Sequence, residues 1–201
     1  LRMMYDYKLN LVVRTPRACP WESSVCVVFC GLVFMNFTTA PSVSLEGKSL
    51  WLLQSLPVEP WRIFKAKIRM QLLLTGIPLL LCIGCTEAVY SMYWLQLLII
   101  LLFGGSYVLL MALVGLFLGI KMPTLTWTNE IMPIKQGGAV IITLLCGFVY
   151  MILLFVGFML LPGWRLGFCR YISCFVGGNL FLSIYFYLWL RKKGVARFSA
   201  L

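Results

Sequence analysis

The sequence predicts an all-α, polytopic membrane helix bundle of about five transmembrane helices plus a cytoplasmic or interfacial amphipathic helix. Hydrophobic residues make up 62% of the 201-residue chain and charged residues only 11%, and the mean hydropathy is +0.96. Soluble domains are roughly half apolar and a quarter charged. The apolar residues also form runs close to the roughly 20 residues that a helix needs to cross a bilayer. Most of the chain is therefore expected to lie in lipid.

Five apolar runs are expected to form the spans. The first is short and ends in polar residues, and the second contains Pro78, which membrane helices tolerate as a kink. The third is long enough to require tilt. The fifth ends in an aromatic and basic anchor. The predicted spans are 24–40, 70–88, 92–120, 138–161 and 167–190.

Basic residues in the connections predict the orientation, because cytoplasmic loops carry an excess of Lys and Arg. The loop 41–69 and the tail 191–201 are rich in both and are placed in the cytoplasm, flanking a transmembrane region at 24–190. Residues 1–23 also carry basic residues and would then lie outside, which fits this rule badly. Either that stretch is not native sequence, or more chain precedes it.

The third span carries glycines at the spacing that lets two helix backbones approach closely. Gly115 and Gly119 are four residues apart, as in small-xxx-small motifs of membrane helices. We expect them to form a packing face.

Several function classes are excluded by composition. The net charge of +11 collects between apolar runs rather than on a polar surface, so nucleic acid is not an expected partner. The chain has no histidine, and its cysteines lie mostly inside apolar runs. Cys82 and Cys85 have metal-ligand spacing, but no second pair completes four ligands. No catalytic, cofactor or metal site is expected, and the chain is not expected to be an enzyme.

A nucleotide-binding loop is also excluded. Gly47, Lys48 and Ser49 match the end of a P-loop, but its first glycine would fall at Ser42, and the segment before it is an apolar run rather than a strand.

The segment after Pro57 predicts a basic amphipathic helix at the membrane interface. Trp61, Phe64 and Ile68 fall at helical spacing, with Arg and Lys between them. Two interpretations remain open. The segment is either an elbow helix that touches lipid headgroups or a docking surface for a cytoplasmic partner.

Two segments resemble permease subunits of an ABC-2-type exporter family of Gram-positive bacteria. The first is SLEGKSLWLLQSLP with the basic helix that follows it, and the second is TWTNEIMPIKQ, where Thr126 stands in place of the family's aspartate. The resemblance covers residues 44–190, and this region resembles the C-terminal part of such a permease. It implies a coupling loop formed by Glu46, Gly47, Lys48, Trp51, Pro57, Arg62, Lys65 and Lys67, and a second cytoplasmic contact formed by Trp127, Asn129, Glu130 and Lys135.

What the resemblance implies about function is transport of an unidentified substrate across a bacterial plasma membrane. A separate cytoplasmic subunit would bind and hydrolyse ATP. A second permease copy, or a missing N-terminal half, would complete the path through the lipid bilayer. The alternatives are a secondary transporter or channel and a non-transporting membrane scaffold protein. Carriers of the first kind usually bury carboxylates near the midplane, and no Asp or Glu is central to any apolar run.

Overall fold

Helices account for every regular element that the structure describes. This computed structural model describes residues 20–36, 38–45, 59–90, 94–123, 137–160 and 168–198. The elements are α1 (Pro20–Met35), α2 (Thr39–Leu45), α3 (Pro60–Tyr90), α4 (Trp94–Lys121), α5 (Gly138–Leu160), α6 (Phe168–Trp189), a π-helical turn (Leu190–Gly194) and α7 (Val195–Phe198).

Four of these helices are long and apolar enough to cross a membrane. The candidate spans in the described residues are Pro60–Val89, Trp94–Lys121, Gly138–Phe158 and Cys169–Gly194. They correspond to the second to fifth spans predicted from the sequence. The chain is therefore a multi-pass membrane protein with an all-α bundle, as predicted.

The first predicted span, 24–40, is not a single membrane-crossing helix in the structure. It falls on α1, which ends at Met35, and on α2, which begins at Thr39. The 16 residues of α1 correspond to about 24 Å of helix, which is less than the hydrocarbon thickness of about 30 Å. Residues 41–45, predicted as the start of a cytoplasmic loop, are helical and belong to α2, in which Pro41, Val43 and Ser44 are buried.

The basic amphipathic segment is not a separate interfacial helix. It forms the first turns of α3, a single helix of 31 residues and about 46 Å. The physical reason is that no proline or glycine lies between Trp61 and Thr75, so nothing stops the helix where the apolar run begins. Pro78 lies inside α3, as membrane helices allow.

The centre of the bundle is α4, because 56% of its most apolar window is buried, against 17% for α3. One hydrophobic cluster packs against its N-terminal part, up to Met111, around Phe103 and Tyr107. A second packs against its C-terminal part, around Leu113 and Leu116. The outward faces of α3, α5 and α6 expose large apolar side chains, which suits contact with lipid.

The two ends of the bundle differ in charge. We call the end where α3 begins, and where α4 and α6 finish, the basic end. Its exposed cationic residues in the described part of the chain are Arg62, Lys65, Arg69, Lys121, Arg191, Lys192, Lys193 and Arg197.

Candidate functional site

The break between α1 and α2 is held by polar side chains of α3. Gln71 Oε1 accepts hydrogen bonds from the Thr38 backbone N–H at 2.6 Å and the Thr38 hydroxyl at 2.5 Å. Gln71 Nε2 donates to the Asn36 carbonyl and to Thr75 Oγ1. Thr75 Oγ1 donates to the same Asn36 carbonyl at 3.1 Å. One amide thus bonds to the backbone on both sides of the break.

The sequence favours a helix end at Asn36. Its side-chain Nδ2 donates to the Leu32 carbonyl at 2.9 Å, and its backbone N–H donates to the Val33 carbonyl at 3.3 Å. Asn side chains that bond to nearby backbone groups compete with continuation of a helix. Gln71 and Thr75 are 1% and 2% exposed. Because lipid cannot form hydrogen bonds with the backbone groups at the break, these two side chains supply the hydrogen-bond partners.

The short helix α2 lies directly against the glycines of α4. A Cβ atom at Gly115 would be 2.5 Å from Thr39 Oγ1, and one at Gly119 would be 2.8 Å from the Ala40 carbonyl oxygen. These two glycines, predicted as a packing face, therefore face α2 of the same chain. The buried Thr39 Oγ1 has no hydrogen-bond partner among the described residues.

A second polar cluster joins the centres of α4, α5 and α6. Tyr150 donates a hydrogen bond to Asn179 Oδ1 at 2.9 Å, and Asn179 Nδ2 lies 3.5 Å from Ser106 Oγ. Ser106 Oγ in turn donates to the Phe103 carbonyl at 2.9 Å. Each of Ser106, Tyr150 and Asn179 lies near the middle of its helix. We therefore expect the cluster to lie near the bilayer midplane.

Two buried hydroxyls next to this cluster are unpartnered within the described part of the chain. They belong to Tyr107 and Ser183, which are 1% and 3% exposed. The Tyr107 ring stacks on Tyr150 with centroids 4.6 Å apart. Intramembrane polar groups usually mark functional positions or join helices. These hydroxyl and amide groups offer hydrogen bonds but no net charge.

The predicted coupling residues that the structure describes lie along the first turns of α3. Arg62 is exposed and is 3.9 Å from Glu59 Oε2. Lys65 is exposed, with its Nζ 5.8 Å from the centre of the Trp61 ring. Lys67 is half-buried and donates to the Ser42 carbonyl of α2 at 3.2 Å.

The remaining predicted site residues lie outside the described residues. They are Glu46, Gly47, Lys48, Trp51 and Pro57 of the coupling loop, and Trp127, Asn129, Glu130 and Lys135 of the second cytoplasmic contact.

Sequence reasoning missed both polar clusters. Gln71, Thr75, Tyr150 and Asn179 are uncharged, so they lower the hydropathy of an apolar run only slightly. The signal that could have found them is the isolated amide: Gln71 and Asn179 each sit inside a run long enough to span a bilayer, where such a side chain needs a partner.

Comparison with known proteins gives no relative: no protein-family model, no curated protein and no solved structure matches this chain. The resemblance of the two segments to ABC-2-type permeases therefore stays a prediction.

Proposed function

We propose that this chain is a permease subunit, or part of one, of an ABC-2-type exporter in a bacterial plasma membrane, driven by ATP hydrolysis in a separate cytoplasmic subunit. The observation that carries the proposal is the continuity of α3. One helix bears the exposed cations Arg62 and Lys65 at one end and holds the α1–α2 break through Gln71. Both features lie on one rigid element.

Continuity makes α3 suitable for transmitting a displacement. Arg62 and Gln71 are nine residues apart in an unbroken helix, or about 14 Å. The ion pair between Arg62 and Glu59 is exposed on both sides, so it contributes little and leaves the cation accessible to a partner. A partner that moves this end of α3 would move Gln71 with it.

Movement of Gln71 would change the environment of the break. The Asn36 carbonyl and the Thr38 N–H bond to the Gln71 side chain, and unsatisfied backbone groups are costly at membrane depth. If Gln71 withdraws, these groups require water or a polar substrate group in its place. We therefore propose that the break is part of the transport path and that α3 controls its access.

The rival function is a secondary transporter or channel, and the midplane cluster of Ser106, Tyr150 and Asn179 is the feature that favours it. Such a protein would transport without nucleotide, so the nucleotide dependence of transport separates the two functions. In the exporter, a second permease copy or a longer parent chain would complete the path.

The test is reconstitution in proteoliposomes with the separate ATPase subunit that the proposal requires, for which an ATPase encoded next to this chain would be the candidate. We expect the permease to raise the ATP hydrolysis rate of its partner several-fold, and Arg62→Glu to lose most of that increase. Arg170→Glu is the matched control, because Arg170 is an exposed arginine at the opposite end of the bundle. An unchanged increase in Arg62→Glu would contradict the proposed role of α3.

A further inference from the structure

The C-terminal segment packs onto the bundle instead of extending from it. After α6, the π-helical turn Leu190–Gly194 and α7 follow. Leu190 and Phe198 are 0% and 1% exposed and belong to the cluster that contains Phe64 of α3. The rings of Phe64 and Phe198 meet edge to face, with centroids 5.3 Å apart. The segment is therefore fixed to the first turns of α3.

The π-helical turn holds three consecutive cations in a fixed position. Arg191, Lys192 and Lys193 are all exposed, and the backbone N–H of Val195 bonds to the Leu190 carbonyl across the turn. A π-helical turn is rare and often marks a functional position. Here it lies between two buried anchors, Leu190 and Phe198, which limit how far the three cations can move.

Aromatic residues place this turn at the edge of the membrane. Trp61 of α3 contacts Tyr187 of α6 edge to face, with ring centroids 5.1 Å apart. Trp189 contacts Phe117 of α4 at 4.6 Å. Trp and Tyr concentrate at the level of lipid headgroups. The cations of the turn follow these aromatic residues directly in the chain, so we expect them at the depth of lipid phosphates.

We infer that the π-helical turn, with Lys65 of α3, binds the headgroup of an anionic phospholipid. Clusters of Lys and Arg next to a membrane helix attract anionic lipid. Lys65 lies over Trp61, which contacts Tyr187, so cations of two helices flank one aromatic pair.

The surface beside these cations favours a lipid over an acidic protein. Ile184, Tyr185 and Leu188 share one face of α6 and are 59%, 58% and 48% exposed. This face runs from the turn into the membrane, where it can contact acyl chains. A soluble acidic partner would reach the cations but not this face. The assignment does not depend on transport and goes beyond the proposed exporter function.

The experiment compares spin-labelled phosphatidylglycerol with spin-labelled phosphatidylcholine, using the full chain in phosphatidylcholine bilayers. The immobilised fraction of each label gives the preference for the anionic lipid. Lys192→Gln/Lys193→Gln is expected to lower that preference by about fivefold for each cation removed, and added salt should lower it in the unaltered chain. Arg170→Gln, which removes one isolated cation at the opposite end, should lower it by less than fivefold. An unchanged preference in the double variant would overturn the inference.

A second variant tests whether the turn must be held in place. Phe198→Ala keeps every cation but removes the contact with Phe64. A bound headgroup requires the fixed turn, so the preference should fall, whereas diffuse attraction to a basic tail would leave it unchanged and overturn the inference. Circular dichroism checks that the variant folds. Phe198→Leu keeps an apolar side chain but loses the edge-to-face contact, so it is expected to lower the preference by less. It replaces the alanine variant if that variant does not fold.

Discussion

Gln71 accepts a hydrogen bond from the backbone N–H of Thr38 at 2.6 Å, although 33 residues separate them in the chain. The same side chain donates to the Asn36 carbonyl on the other side of the break. A single amide on a continuous helix thus replaces backbone hydrogen bonds that a continuous α1 would have made for itself. This relationship connects the basic end of α3 to the break.

Removing this amide should destabilise the protein. In Gln71→Leu, the Thr38 N–H and the Asn36 carbonyl lose bonds to Gln71, and a buried polar group left unsatisfied costs about 1–3 kcal/mol. We expect a loss of about 2 kcal/mol in the free energy of unfolding, measured in detergent. Leu73→Ala, at a position on the same helix that is 60% exposed, should change it by less than about 0.5 kcal/mol. Equal effects of the two variants would contradict the role assigned to Gln71.

The close approach of α2 to α4 predicts different effects for two glycines of α4. A Cβ atom at Gly115 would be 2.5 Å from Thr39 Oγ1, whereas one at Gly105 would have nothing within 4 Å. Gly115→Ala should therefore cost about 1–3 kcal/mol through overpacking. Gly105→Ala should be neutral or stabilising, since Ala is a better helix former by about 1 kcal/mol. Thermal unfolding of both variants measures the difference, and similar melting temperatures would contradict this packing.

A compensating change tests the same contact. Thr39 Oγ1 has no hydrogen-bond partner in the part of the chain that the structure describes, so Thr39→Ala should remove a clash at little cost. We expect Gly115→Ala/Thr39→Ala to melt above Gly115→Ala alone. The recovery should be partial, because a Cβ at Gly115 would still be 3.2 Å from the Ala40 nitrogen. If the melting temperature does not recover, the Thr39 side chain is not what a Cβ atom at Gly115 clashes with.

The midplane pair Tyr150 and Asn179 should show measurable coupling. Their hydrogen bond is 2.9 Å long, and such bonds in membrane bundles contribute about 0.6 kcal/mol, with a maximum of about 1.7. A double-mutant cycle of Tyr150→Phe and Asn179→Leu isolates this term. In the control cycle, Ser173→Ala, at an exposed residue of α6, takes the place of Asn179→Leu. A coupling energy near zero would indicate that the two side chains do not interact in the membrane.

The four crossing helices could be predicted from the sequence because lipid imposes one strong requirement, a long apolar run. One of their bounds coincides with a basic residue, Lys121, which is the last residue of α4. The continuity of α3 was missed because hydropathy changes at Met70, whereas helix formation depends on backbone geometry and continues through that point. No residue between Trp61 and Thr75 interrupts it.

The candidate site was harder to predict because its parts are distant in sequence. Asn36 and Thr38 could be read as the polar end of a short span, but their partner Gln71 lies on another helix, next to the basic segment. Pairing of Tyr150 with Asn179 likewise depends on how α5 and α6 face each other. Periodicity within one helix carries no information on such contacts.

The orientation of α3 is the claim on which the proposed function most depends, and single-cysteine labelling tests it directly. Lys65→Cys lies in the basic end, and Val89→Cys lies near the other end of the same helix, at a residue that is 73% exposed. Each cysteine is introduced into a chain whose eight native cysteines are replaced by alanine, and that cysteine-free chain gives the background. A membrane-impermeant maleimide is applied to right-side-out and to inside-out vesicles. We predict labelling at position 65 only in inside-out vesicles and at position 89 only in right-side-out vesicles. Labelling of position 65 from the outside, or of both positions from one side, would contradict the account.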